Sequence, residues 1–416
     1  MKKMIESINK NSQSCAPWLI SAAVTALALG GIGGSLQVSR LISIILLPFV
    51  LIRLFNFNKK IKFQNEILVF LFSLMIISLM SVVWSVDKTV TVQYLIVLLV
   101  NMIPLLMIGL MTLSEIEALQ KLLPRAWLLA GFFVLPLAFY ELITGNHFSL
   151  GFEERGGGQL INLLPFASGV HGNYNDFSLF LVFCVIGTCF SGSDQERVSK
   201  PLIFFKNIVI LFVSMIVLIN SSRAAILCLF AVLFAKFFLP IKRKQFFLII
   251  LVIIILGGIF IFSISNDSLL LTVLQLKFSD FSTDFEGDEG RLAIIKAGLN
   301  GVVESYGLGV GAGASSSYLA IADTVLIPNP HNLFLEWALN FGIIGSCILL
   351  WFLFRIWMSN RSNCNCNNKR INFLFILILP LLGVIQSHLT AYSYFWLILT
   401  TICVFVVCPR SQIKID

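Results

Sequence analysis

Apolar stretches the length of a membrane-crossing helix recur twelve times along this 416-residue chain. They lie at about 16–35, 38–55, 66–84, 90–111, 126–144, 174–191, 203–220, 223–240, 246–264, 332–354, 372–389 and 392–408. A bilayer core of roughly 30 Å needs about 20 apolar residues per helix. No water is present there to satisfy backbone N–H and C=O groups, so such segments fold as helices. The predicted fold class is all-α: one polytopic integral membrane domain over 1–416 with about 12 transmembrane helices. Hydrophobic residues make up 58% and charged residues 12%, which excludes a soluble globular domain.

Lysine and arginine placement sets the expected orientation. With the N-terminus in the cytoplasm, alternating spans put 22 of the 29 basic residues on that side. Both termini are then cytoplasmic, and the loops at about 145–173 and 265–331 lie outside. The net charge of +8 follows from this bias and calls for no nucleic-acid partner. The first apolar stretch reads as a retained helix, since no convincing cleavage site follows it. Of nine cysteines, only Cys364 and Cys366 form a Cys-x-Cys, too little for a zinc site.

The two outer loops hold most of the polar chemistry. The second has an acidic start, 280–289, without the spacing of a calcium loop. A helix from Arg291 to about Glu304 follows, with Leu292, Ile295, Leu299 and Val302 or Val303 on one stripe that suits a membrane surface. The run Gly307-Leu308-Gly309-Val310-Gly311-Ala312-Gly313 reads as backbone that turns sharply or approaches something closely. Pro328-Asn329-Pro330-His331-Asn332 then enters a span carrying Glu336 one turn in. An imidazole at this boundary can exchange protons near neutral pH, and an intramembrane carboxylate is costly enough to suggest function. Asn332 and Glu336 are predicted to share a helix face. Ser221-Ser222-Arg223 opens another span, and Gly290-Arg291 opens the loop helix. A guanidinium at either place offers bidentate recognition of phosphate. His171, Asn175 and Asp176 precede or enter the span at 174–191. They read as a sugar site or as a polar cap, with Asn175 or Asp176 as N-cap. His147 and His388 read as interfacial.

Taken in order, Ser-Ser-Arg, Gly-Arg, the glycine run and Pro-His-Asn-Leu-x-Leu-Glu resemble the O-antigen ligase/polymerase superfamily, most strongly over about 205–350. The resemblance implies metal-independent, cofactor-free, inverting glycosyl transfer at the periplasmic face of the bacterial inner membrane. The implied donor is an oligosaccharide on undecaprenyl diphosphate, and the acceptor is another glycan. It further implies His331 as general base and Arg223 and Arg291 as the diphosphate clamp. Ser222, Asn332, Glu336, His171, Asn175 and Asp176 are supporting or acceptor-site candidates. Glu336 and the stretch 172–177 are more like polymerases, for which a chain-length regulator is a candidate partner. Transfer to lipid A–core by a ligase is the alternative. A lipid-linked sugar transporter or flippase is the alternative from another class. Transporters place charges near the midplane and show repeat symmetry, whereas the charges here sit mostly at span ends and in a long loop. A purely structural assembly role is disfavoured by the histidine–arginine set.

Overall fold

A computed structural model describes 15–30, 37–55, 62–148, 166–171, 174–189, 200–220, 222–237, 285–321, 330, 332–361 and 391–407. Its helices are α1 (Cys15–Leu29), α2 (Val38–Phe55), α3 (Lys62–Ser81), α4 (Lys88–Leu110), α5 (Leu113–Thr144) and α6 (Tyr174–Cys189). There follow α7 (Lys200–Asn220), α8 (Arg223–Phe237), α9 (Phe285–Glu304), α10 (Ser315–Ile321), α11 (Leu333–Arg361) and α12 (Ser393–Val406). Every regular element among the described residues is helical. Among the described residues six helices are long and apolar enough to cross a membrane, and α1, α6, α12 and part of α8 are shorter apolar helices. The protein is an all-α, multi-pass membrane protein. The spans expected at 246–264 and 372–389 lie outside the described residues.

Helix α5 begins at Leu113, well before the expected 126. Thr112 supplies a capping box with Glu115, which a hydropathy reading does not register. Glu115 also takes a bidentate pair from Arg53, at 2.9 and 2.5 Å, with both side chains buried. Arg355 pairs with Glu66 on the same side of the bundle. These pairs tie α2 to α5 and α11 to α3 at one end. The starts of α4, α6, α8, α11 and α12 define the other, termed here the loop end.

The central core packs aromatic and small residues closely. Phe70 stacks on Phe352 at 4.0 Å between α3 and α11. Trp127 is fully buried and donates to Thr401 Oγ1 at 2.9 Å, linking α5 to α12. A side chain at Gly187 would strike the Trp127 ring at 2.2 Å, so α6 meets α5 only because that position is glycine. α4 lies centrally, packed by α2, α3 and α12.

Candidate functional site

α11 is not one straight helix. Gly342 has φ 69° and ψ −167°, which breaks it into a short segment Leu333–Phe341 and a long segment from Ile343. In an unbroken helix the Ile343 N–H would donate to the Leu339 C=O. Here the glycine run enters between them. Val310 N–H donates to Leu339 C=O at 2.6 Å, and Ile343 N–H donates to Gly307 C=O at 2.9 Å. Both freed groups are satisfied, as a break inside an apolar bundle requires. The insertion needs bare backbone: a Cβ on Gly309 would lie 2.6 Å from Gly342 N and Leu339 O. Gly307, Gly309, Gly311 and Gly313 all have positive φ. Gly311 and Gly313 press on Ser85 and Tyr94 at the loop end of α3 and α4. The close approach expected of this run is borne out.

The same segment organises α9. Gly298 meets Leu335, Gly301 meets Leu339 and Tyr318, and Gly307 meets Ile343. Rising numbers in one strip match rising numbers in the other, so α9 and the short segment of α11 run side by side in the same direction. Arg291 and Asn332 therefore lie toward the same end of this pair. At 1.5 Å per residue their backbones differ in height by only about 6 Å. Ile294 and Ala297 face the protein, while Leu292, Ile295, Leu299 and Val303 are exposed. The apolar stripe read as membrane-facing is thus left uncovered by the protein. α9 starts at Phe285, six residues before the expected Arg291, and takes in the end of the acidic run.

Asn332 caps the short segment. Its Oδ1 accepts from Phe334 N and Leu335 N at 2.9 and 3.1 Å. This corrects the expectation that Asn332 shares a helical face with Glu336: it precedes the helix and spends its side chain on the cap. Glu336 is fully buried, and so, at 1% exposure, is Asn340 one turn further, whose Oδ1 accepts from Ser315 N. His331 lies outside the described residues. Arg223 and Arg291 are described in backbone only, Arg223 at the first position of α8 and Arg291 within α9.

A second group forms where α6 and α8 begin. Asn220 closes the α7–α8 hairpin onto α6: it donates to Ala167 C=O and Ser178 Oγ at 2.8 and 3.0 Å and accepts from Ala167 N at 2.8 Å. Ser222 is buried, and its C=O accepts from Ile226 N in the first turn of α8. Asn175 and Asp176 are inside α6, which starts at Tyr174, so neither is its N-cap. Asp176 instead accepts from the Tyr392 hydroxyl at 2.8 Å. His171 stacks on Phe180 at 4.5 Å, and its Nε2 is shielded, with no hydrogen-bond partner among the described residues. Burial lowers its pKa to about 3, which keeps the ring neutral near pH 7 and unsuited to be a base there.

The structure thus assembles two groups at the loop end: Arg291, Asn332 and Glu336 around α9 and α11, and Ser222, Arg223, Asn175, Asp176 and His171 around α6 and α8. α8 packs on α6 and α7, α11 packs on α3, α9, α10 and α12, and α12 reaches both α6 and α11. Sequence reading missed Glu141. Its buried carboxylate accepts from Phe148 N at 2.9 Å, Ser168 N at 2.6 Å and Gly169 N at 2.7 Å. It therefore pins both ends of the 145–173 loop. His147 stacks on Phe166 at 4.1 Å beside it. The only sequence signal was a carboxylate three residues before the end of an apolar helix. Among the described residues no cluster of His, Cys, Asp and Glu could hold a metal.

Residues 208–352 match a family model described as O-antigen ligase. That interval includes Ser222, Arg223, Arg291, the glycine run, His331, Asn332 and Glu336. The teichuronic acid biosynthesis protein TuaE of Bacillus subtilis (strain 168) is 25% identical over 312 residues, covering 71% of this chain. The chain spans 62% of that relative's length. Both findings support the O-antigen ligase/polymerase superfamily, the family that the residue pattern resembles.

Proposed function

We propose that this protein is a membrane glycosyltransferase that polymerises undecaprenyl-diphosphate-linked oligosaccharide repeat units into O-antigen or a related surface polysaccharide. The reaction takes place at the periplasmic face of the inner membrane, with both termini cytoplasmic. The observation that supports this most is the parallel pairing of α9 with the short segment of α11. It carries Arg291 and the residue next to His331 toward the same end of that helix pair.

The chemistry asks for two things there. An acceptor hydroxyl attacks the anomeric carbon of the donor from the face opposite the leaving group, so configuration inverts. The C–O bond to the diphosphate breaks, and its electron pair leaves on the phosphate oxygen. The hydroxyl proton passes to the His331 imidazole, whose ordinary pKa near 6.5 suits a base at neutral pH. Negative charge grows on the leaving diphosphate. The guanidiniums of Arg223 and Arg291 hold it, acting more strongly in a site partly shielded from water. Neither step needs a metal or cofactor. Glu336, buried four residues after Asn332, and Asn332, the cap of that helix, are assigned to support the base.

The name of the TuaE relative, a biosynthesis protein for teichuronic acid, fits polymer assembly. The description of the matched family model as O-antigen ligase supports a second reading, transfer to lipid A–core. A gene deletion separates them: core bearing a single repeat unit indicates a polymerase, and core bearing no glycan indicates a ligase. The test of the common chemistry is His331→Ala. It should abolish glycan transfer while membrane insertion and protein level stay normal. Long-chain polysaccharide of normal amount in that variant rules out the base.

A further inference from the structure

Helix α9 presents three different faces around its axis. At about 100° per residue, Ile294, Ala297 and Gly301 fall on one side and are buried. There Gly298 and Gly301 meet Leu335 and Leu339 of α11. Lys296, Asn300 and Glu304 fall on a second side and are exposed. Leu292, Ile295, Leu299 and Val303 form a third side, and it too is exposed, by 52, 39, 55 and 74%. This apolar stripe runs about 17 Å along the helix. A helix on a soluble protein needs two faces, one for the core and one for water. A second apolar face calls for a further apolar environment.

The stripe runs into the lipid-facing side of a membrane span. Beyond its break, α11 extends from Ile343 to Arg361, about 28 Å, which matches a bilayer core of roughly 30 Å. Ile343 and Ile344 therefore stand at the edge of that core. Both are exposed, as are Leu350 and Phe354 further along the span. α9 ends on this edge: Gly307 lies against the Ile343 side chain, and its C=O accepts the Ile343 N–H. Tyr306 beside it is 95% exposed, and tyrosine concentrates at this level of a bilayer. The stripe is open along its whole length and not only in the last turn, as in a helix lying along a bilayer surface. Lys296 borders it, where an ammonium can reach lipid phosphate while its stem stays on apolar surface.

We propose that α9 is a monotopic membrane anchor. It lies flat in the bilayer surface at the loop end, with Leu292, Ile295, Leu299 and Val303 among the acyl chains and Lys296 at the phosphates. Its partner is the lipid bilayer and not another protein. The helix is then held at headgroup depth along its length, and with it the backbone of Arg291, one residue before the stripe begins. A phosphate borne on a membrane lipid would meet that part of the helix without leaving the bilayer. This placement depends on the membrane spans and not on the reaction.

The test puts a photoreactive side chain, p-benzoylphenylalanine, in place of Leu292, Val303 or Asn300 in turn. All three native side chains are exposed, so the replacement displaces no packing. Leu299 takes the place of either stripe position whose variant fails to insert. The full chain is reconstituted into vesicles of phosphatidylethanolamine and phosphatidylglycerol and irradiated, and the adducts are read by mass spectrometry. Positions 292 and 303 should form phospholipid adducts several-fold more often than position 300 on the polar side. Adducts from 292 and 303 to a peptide of the same chain, or a crosslinked dimer, mean that protein covers the stripe, and they overturn the proposal. Equal lipid labelling at all three positions, or none at any, overturns it as well. Lipid adducts from 303 without any from 292 mean a helix standing up from the membrane and refute the flat anchor.

Discussion

Replacing Gly342 by alanine should cripple the protein through a single methyl group. The residue sits at φ 69° and ψ −167°, a backbone region essentially reserved for glycine, where another residue costs about 1–3 kcal/mol. The added Cβ would lie 2.3 Å from Gly307 O and 2.5 Å from Leu308 C. Both are backbone atoms of a segment itself anchored on Ser85 and Tyr94, so neither moves cheaply. Pushing them away breaks the bonds Val310 N–H to Leu339 C=O and Ile343 N–H to Gly307 C=O, at about 1 kcal/mol each. The alternative is for α11 to straighten. Alanine gains about 1 kcal/mol over glycine in a helix, but straightening expels the glycine run and leaves its N–H and C=O groups unpaired. Either way the loss is about 3–5 kcal/mol by these terms. Gly145→Ala is the control: it has φ 70° but nothing within 4 Å of its Cβ, so only the backbone term of about 1 kcal/mol remains. The assay is thermal unfolding in detergent alongside the length distribution of glycan made in cells. Gly342→Ala should unfold well below Gly145→Ala and make little or no polymer. Equal melting of the two variants would refute the account of the break.

Glu141→Gln swaps one acceptor oxygen for a donor facing backbone N–H groups. Two charge-assisted bonds are weakened or lost, for about 3 kcal/mol, read as a drop in melting temperature and as faster proteolysis between 145 and 173. Arg223→Lys should lose most transfer activity, because an ammonium cannot make the bidentate contact; wild-type turnover would leave that arginine a mere anchor of α8. His171 carries a pH signature. Its folded pKa is about 3 against roughly 6.5 unfolded. Unfolding therefore takes up a proton between those values, and this part of the stability is complete above pH 6.5 and is lost as pH falls toward 3. The decline should be shallower in His171→Phe, measured by melting temperature across that range.

Hydropathy revealed the described apolar helices because apolar length is a property of each segment alone. The glycine run was legible as close-approach backbone for a similar reason: alternating glycines fit few other roles. What it approaches was not legible, since Leu339 and Gly342 are recognised as its partners only once α11 is seen to break. The Asn332 cap was missed because a helix pattern extends naturally one residue too far, and polar residues such as Asn175 look equally good as caps. The bonds that Arg40, in the first turn of α2, makes to Asn101 and Ala391 were not legible, because those partners are 61 and 351 residues away. Glu141 was overlooked because its partners are backbone amides, which no side-chain pattern announces.

The Glu141 clamp has a bearing on how such proteins diversify. One carboxylate grips the chain at Phe148 and again at Ser168 and Gly169, so the anchorage of the stretch between them does not depend on its length. Doubling the span of a tethered segment costs only about 0.6 kcal/mol in closure entropy. A change in the number of residues between Phe148 and Ser168 therefore leaves the three bonds to Glu141 in place.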